Sequence, residues 1–156
     1  MRCNVGVPPK ILLDQHLIAE YRELLIPYAQ LIHLMKKHPS KHMNSFLTDI
    51  PFNFKLGKGH VIFWRNKNQY LRERHAALVG EMKRRNFHPK LKYWSVSQTV
   101  KETEGDWECS EKDTTILRNR ILERVHQKPR WYRYFGVSIP SFKFYEKLLM
   151  SSEIEC

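Results

Sequence analysis

The run Asp14-Gln15-His16-Leu17-Ile18-Ala19-Glu20-Tyr21-Arg22-Glu23-Leu24 opens a pattern in which apolar residues recur three and four positions apart. Leu17, Tyr21, Leu24, Tyr28, Leu31 and Met35 continue it. The spacing predicts one long amphipathic helix, with Asp14 as its N-cap and His38-Pro39 as its stop. His16, Glu20 and Glu23 share the opposite face. Pro27 lacks the N–H that would bond the Glu23 carbonyl, so the helix should bend there.

Beyond this helix, residues 38–62 read as loop and contain Gly57-Lys58-Gly59-His60. Two glycines there permit close backbone approach to a phosphate, but an ordinary turn is the better reading, because a lone GxG is common. A second helix is expected from Asn66 to Arg85, with Asn66 as N-cap, a left-handed Asn86 at its end and His75 as a packed helix-face residue. Residues 88–109 have no helical period and should form a long connection pinned by Trp94 and Trp107. Ser110 and Asp113 make a capping box for a third helix with a buried Leu117, Ile121 and Val125 stripe, closed by Pro129. The expected architecture is all-α: a single compact domain of about three main helices with long connections and no sheet. A short helix around Phe142 to Met150 fits the tail.

Lys and Arg number 27 against 16 Asp and Glu, a net charge of +11, which makes a polyanion the expected partner. Cys3, Cys109 and Cys156 form no CxxC or CxxH pair, so neither a disulfide framework nor a zinc site is supported; no metal or cofactor is expected. No apolar run approaches the roughly 18 residues of a membrane span, and the start lacks a signal-peptide stretch. The expectation is a soluble, intracellular monomer.

Arg120, Arg124 and Lys128 lie one turn apart on the third helix and lead into Trp131-Tyr132-Arg133-Tyr134-Phe135-Gly136. Aromatics interleaved with cations can stack on unstacked bases while neutralising phosphates. A hydrophobic plug for the core is an equally good reading of the same aromatics.

The residues from Asp14 to Leu24 resemble the signature of the phage and algal-virus pyrimidine-dimer DNA glycosylases, the dimer-specific endonuclease V type. Leu56-Gly57-Lys58-Gly59-His60-Val61 leading to Tyr70-Leu71-Arg72, and the segment from Gln127 to Gly136, agree in order and spacing. The resemblance covers residues 1–136, the expected glycosylase-like domain; residues 137–156 form an extension with no role to inherit. It implies a virus-encoded DNA repair enzyme acting on duplex DNA containing damaged pyrimidines, with glycosylase and AP-lyase activity. The family's nucleophile is the α-amine of the first residue, which forms an imine with the sugar C1′. Arg2 is not small, so Met1 should be retained and occupy that place, with Arg2-Cys3-Asn4 in register.

The resemblance further gives Glu23 the role of catalytic carboxylate, assisting ring opening and taking the C2′ proton. Read without it, Glu23 is an ordinary helix-surface glutamate. His16 and Arg22 match DNA-facing positions; Arg2, Gln15, Arg120 and Arg124 match backbone-contacting or site-lining ones. Trp131, Tyr132, Arg133 and Tyr134 match the aromatic DNA-binding segment. One departure is plain: the family has Pro-Arg after Arg-Glu-Leu, whereas this chain has Leu25-Ile26-Pro27. Lys58 or Arg65 would have to supply the missing cation. The same mechanism on another damaged pyrimidine, a non-catalytic DNA-binding protein of this fold, and single-stranded RNA binding are the rival readings.

Overall fold

A computed structural model describes residues 3–57, 59–128 and 130–151. The helices are α1 (Asp14–Glu23), α2 (Ile26–Lys37), α3 (His60–Phe63), α4 (Asn68–Arg84), α5 (Glu111–Gln127) and α6 (Phe142–Ser151). Two-residue strands β1 (Arg133–Tyr134) and β2 (Val137–Ser138) pair antiparallel. The chain is mostly helical, as expected, but has more helices than three main ones and a small sheet in place of none.

The expected first helix is two. Leu24 N–H bonds the Glu20 carbonyl and closes α1, and Ala29 N–H bonds the Leu25 carbonyl in the first turn of α2. Pro27 therefore sits in the opening turn of α2, where a missing N–H costs nothing, and the bend becomes a break. Asp14 is the first helical residue of α1, not its cap. Its carboxylate is held by Arg85 Nη1 at 2.8 Å and by Gly136 N–H at 2.7 Å.

The second expected helix begins at Asn68, because Asn66 is engaged elsewhere: its backbone carbonyl accepts from Gly105 N–H and its side-chain oxygen from Lys67. Asn86 takes the left-handed conformation expected of it, at φ 60°. The Ser110–Asp113 capping box is present at α5, and Leu117, Ile121 and Val125 are buried along it. Pro129, its expected terminator, lies outside the described residues.

Segment 38–62 contains a 3-10 turn (Met43–Phe46) as well as the start of α3. Segment 88–109 is a strap with two further 3-10 turns. Trp94 meets Tyr28 edge-on at 5.1 Å and Trp107 meets Trp64 at 5.2 Å, so both tryptophans pin it. The turn between β1 and β2 places Phe135 and Gly136 at φ 54° and 75°, the two left-handed positions that a tight hairpin turn of the twist-matching kind requires.

Leu17, Leu24, Leu71 and Leu78 are fully buried where α1 crosses α4, each such side chain stabilising the fold by about 1.5–3 kcal/mol. The same core holds Val5 and Val7 from the amino-terminal segment and Tyr145 and Leu149 from α6. A smaller core of Tyr28, Leu31 and Phe46 sits under α2. Gly6 lies at φ 66° against Thr114, whose hydroxyl a Cβ would overlap; the segment can pass α5 this closely only at a glycine. Cys3 is a buried free thiol. The Cys109 sulfur lies 3.6 Å from the Thr114 hydroxyl, and Cys156 lies outside the described residues. No described helix is long and apolar enough to cross a membrane.

Candidate active site

Glu20 lies on the polar face of α1 yet is completely buried. Arg74 of α4 reaches it with Nε at 2.8 Å and Nη2 at 3.2 Å, and Asn4 donates its side-chain amide to the same carboxylate at 2.6 Å. Arg74 Nη2 also bonds the Asn4 carbonyl at 3.1 Å. Burial opposes the Arg74 charge, but Glu20 outweighs it and the guanidinium pKa rises. The amino-terminal segment is thus moored at Asn4 to two helices, in the direction that brings Cys3 and Asn4 to a cavity wall.

That cavity, of about 30 Å³, is lined by Cys3 and Asn4, by His16 of α1, by Leu56 and His60, and by Arg120 and Arg124 of α5. His60 is buried, and its Nδ1 lies 2.8 Å from the Lys55 carbonyl oxygen. Burial lowers its pKa against the pull of that hydrogen bond; among smaller effects, Arg120 lowers it and Glu23 raises it. Glu23, half-buried at the end of α1, therefore stands within electrostatic reach of this cavity.

His16 and Arg124 also line a neighbouring surface cleft of about 330 Å³ with Gln15, Arg22, Trp131 and Tyr132. Tyr132 is buried with its ring 4.8 Å from that of His16, whereas Trp131 is 64% exposed. Tyr132 therefore plugs the core, whereas Trp131 faces outward. Gln15 fixes the segment in place, its amide nitrogen donating to the Trp131 carbonyl at 2.7 Å and its oxygen accepting from Arg133 N–H at 3.0 Å. The Tyr134 hydroxyl donates to the Lys10 carbonyl at 2.8 Å, leaving the Arg133 side chain exposed beside it.

A family model of pyrimidine dimer DNA glycosylases matches residues 2–95. The chain belongs to that family. The match takes in α1, the moored amino-terminal segment and His60, and it makes DNA containing damaged pyrimidines the substrate class. It ends before α5 and the hairpin, so Arg120, Arg124, Trp131 and Tyr132, which line the two recesses, lie outside the matched residues.

Of the residues read from the sequence, the fold gathers Gln15, His16, Arg22, Arg120, Arg124, Trp131 and Tyr132 around two adjoining recesses, whereas Glu23, Arg133 and Tyr134 line neither. Met1 and Arg2 lie outside the described residues, as does Lys58. Arg65 is not brought to the site: its Nη1 faces the Phe46 carbonyl at 3.5 Å, beside the smaller core. Asn4, Glu20, Arg74 and His60 were not singled out as site residues from sequence. Asn4 stood in the Arg2-Cys3-Asn4 register, Glu20 on the helix face of His16 and Glu23, and His60 in the Gly57-Lys58-Gly59-His60 turn, while Arg74 carried no signal. Gly57 and Gly59 both take positive φ there, so the backbone itself requires the two glycines.

Proposed function

We propose that the protein is a DNA glycosylase with AP-lyase activity that excises ultraviolet-type pyrimidine dimers through an imine on its own α-amine. The amine of Met1 attacks C1′, the damaged base departs, and Glu23 assists ring opening and takes the C2′ proton that drives elimination of the 3′ phosphate. An α-amine suits this role because its pKa of about 7.7–8.0 leaves much more of it neutral at pH 7 than a lysine of about 10.4. Arg2, Gln15, His16, Arg22, Arg120, Arg124, Trp131, Tyr132, Arg133 and Tyr134 form or position the DNA-contacting face. The observation that carries this reading is the mooring of Asn4, which sets the amino-terminal segment in the cavity wall beside His16, Arg120 and Arg124.

Borohydride trapping on abasic-site duplex tests it. A covalent adduct on the residue 1 amine, lost after N-acetylation while DNA binding survives, is the expected result. An adduct on a lysine, or undiminished cleavage by the acetylated protein, overturns the assignment. A second reading, the same mechanism on another damaged pyrimidine, is favoured by Leu25-Ile26-Pro27, which puts no cation at the break between α1 and α2. A panel of defined lesions in one duplex context separates the two.

A further inference from the structure

His60 differs from His75, another buried helix histidine, in where it stands, and from His16, which shares its cavity, in the carbonyl held by its Nδ1. His75 is stacked on Tyr21 at 5.0 Å inside the contact between α1 and α4. His60 lines the cavity with Cys3, Asn4 and Arg120. It opens α3 after a left-handed Gly59, and the edge of Phe54 meets its ring at 5.5 Å. The Lys55 carbonyl can only accept a hydrogen bond, so the Nδ1 atom 2.8 Å away carries the hydrogen. In the neutral ring Nε2 then keeps its lone pair, a tautomer fixed by the loop and not by chance. Burial, which lowers the pKa, keeps the ring neutral at pH values where an ordinary histidine begins to charge.

We propose that His60 is the base that takes the surplus proton from the attacking amine as the imine forms. The inference rests on the imine reading above. Two residues of extended chain span at most about 7 Å, which bounds how far from Cys3 the residue 1 amine can act. On an abasic site the amine lone pair forms the N–C1′ bond while the carbonyl π pair moves to oxygen. The proton now in excess on nitrogen passes to His60 Nε2, and the imidazolium returns it to that oxygen. A second proton, from solvent, lets the oxygen leave as water with the C–O electron pair, giving the protonated imine.

His60→Asn is the informative variant, because its amide can still donate to the Lys55 carbonyl but offers no base in place of Nε2. Its rate of trappable imine formation is compared with the native protein between pH 5 and pH 9 on the same duplex. The expected result is a plateau lower by about 10²-fold or more, an acid limb reduced from two ionisations, the amine and His60, to that of the amine alone, partial rescue by added imidazole, and unchanged duplex affinity. A native rate and native pH profile in the variant overturn the proposal while native trapping keeps the imine reading. Absence of any trapping by the native protein overturns both. The ¹⁵N shifts of the His60 ring in the native protein at pH 7 give a readout independent of the variant's folding. A hydrogen on Nε2 overturns the proposal, and one on Nδ1 supports it.

Discussion

The side-chain amide of Asn4 donates to the carboxylate of Glu20 at 2.6 Å, across sixteen residues of chain. Because Arg74 neutralises the same carboxylate, the bond is charge-assisted within a buried, fully engaged cluster. Asn4→Ala removes one partner and leaves a buried carboxylate oxygen short of a donor, a loss of about 1–3 kcal/mol. The expected outcome is a lower melting temperature together with slower borohydride trapping, while affinity for undamaged duplex is retained. Thermal unfolding and single-turnover trapping measure the two effects; trapping at the native rate would detach the mooring from the chemistry.

Glu23→Gln should bind lesion duplex as the native protein does and fail to cut it, because an amide of the same shape cannot take the C2′ proton. The loss expected is about 10²–10⁴-fold in strand cleavage. Gel-based cleavage and anisotropy binding on one substrate read both properties. Full cleavage would return Glu23 to the role of a half-buried helix-end glutamate.

Arg120 and Arg124 bear on affinity through phosphate neutralisation, and each contact to duplex DNA adds about 0.9 to the slope of log affinity against log salt. Replacing both with Ala should shallow that slope by about two. A double variant with the native slope but weaker binding would mean that the two arginines shape the cavity without touching phosphate.

Lys67 supplies a pH test of the fold. Its ammonium group donates to the Phe63 carbonyl and the Asn66 side chain, each at 2.9 Å. Burial lowers its pKa to about 8 from 10.5. A lysine depressed in the folded state binds its proton more tightly when unfolded, so its contribution to stability rises with pH between about 8 and 10.5 and is lowest below 8. The native protein should gain stability relative to Lys67→Met across that window. Parallel denaturation curves for the two proteins from pH 7 to pH 10.5 would refute this.

Local signals carried the helices that the sequence made legible. The Ser110–Asp113 box and the left-handed Asn86 each depend on residues within one turn, and both stand as read. What escaped depends on residues far apart in the chain. Asp14 has the chemistry of a cap, but Arg85, 71 positions on, takes its carboxylate. Glu20 follows the periodicity of an outer helix face, and only Arg74, 54 positions on, makes its burial affordable. The hairpin was hidden for a different reason: a phenylalanine in the left-handed region is not predicted by turn propensity. At the site the family signature located α1, while the mooring of the amino-terminal segment and the proximity of His60 became visible only with the chain folded.

The shared core has a consequence for how the protein is made. Val5 and Val7 lie in the same buried cluster as Tyr145 and Leu149. At about 5–20 residues per second, the ribosome delivers Tyr145 roughly 7–28 seconds after Val5. The segment that forms the cavity wall is therefore made well before α6, yet its packing is complete only when α6 arrives. A chain cut short before α6 would hold every described residue of the cavity but lack Tyr145 and Leu149, against which Val5 and Val7 share their core.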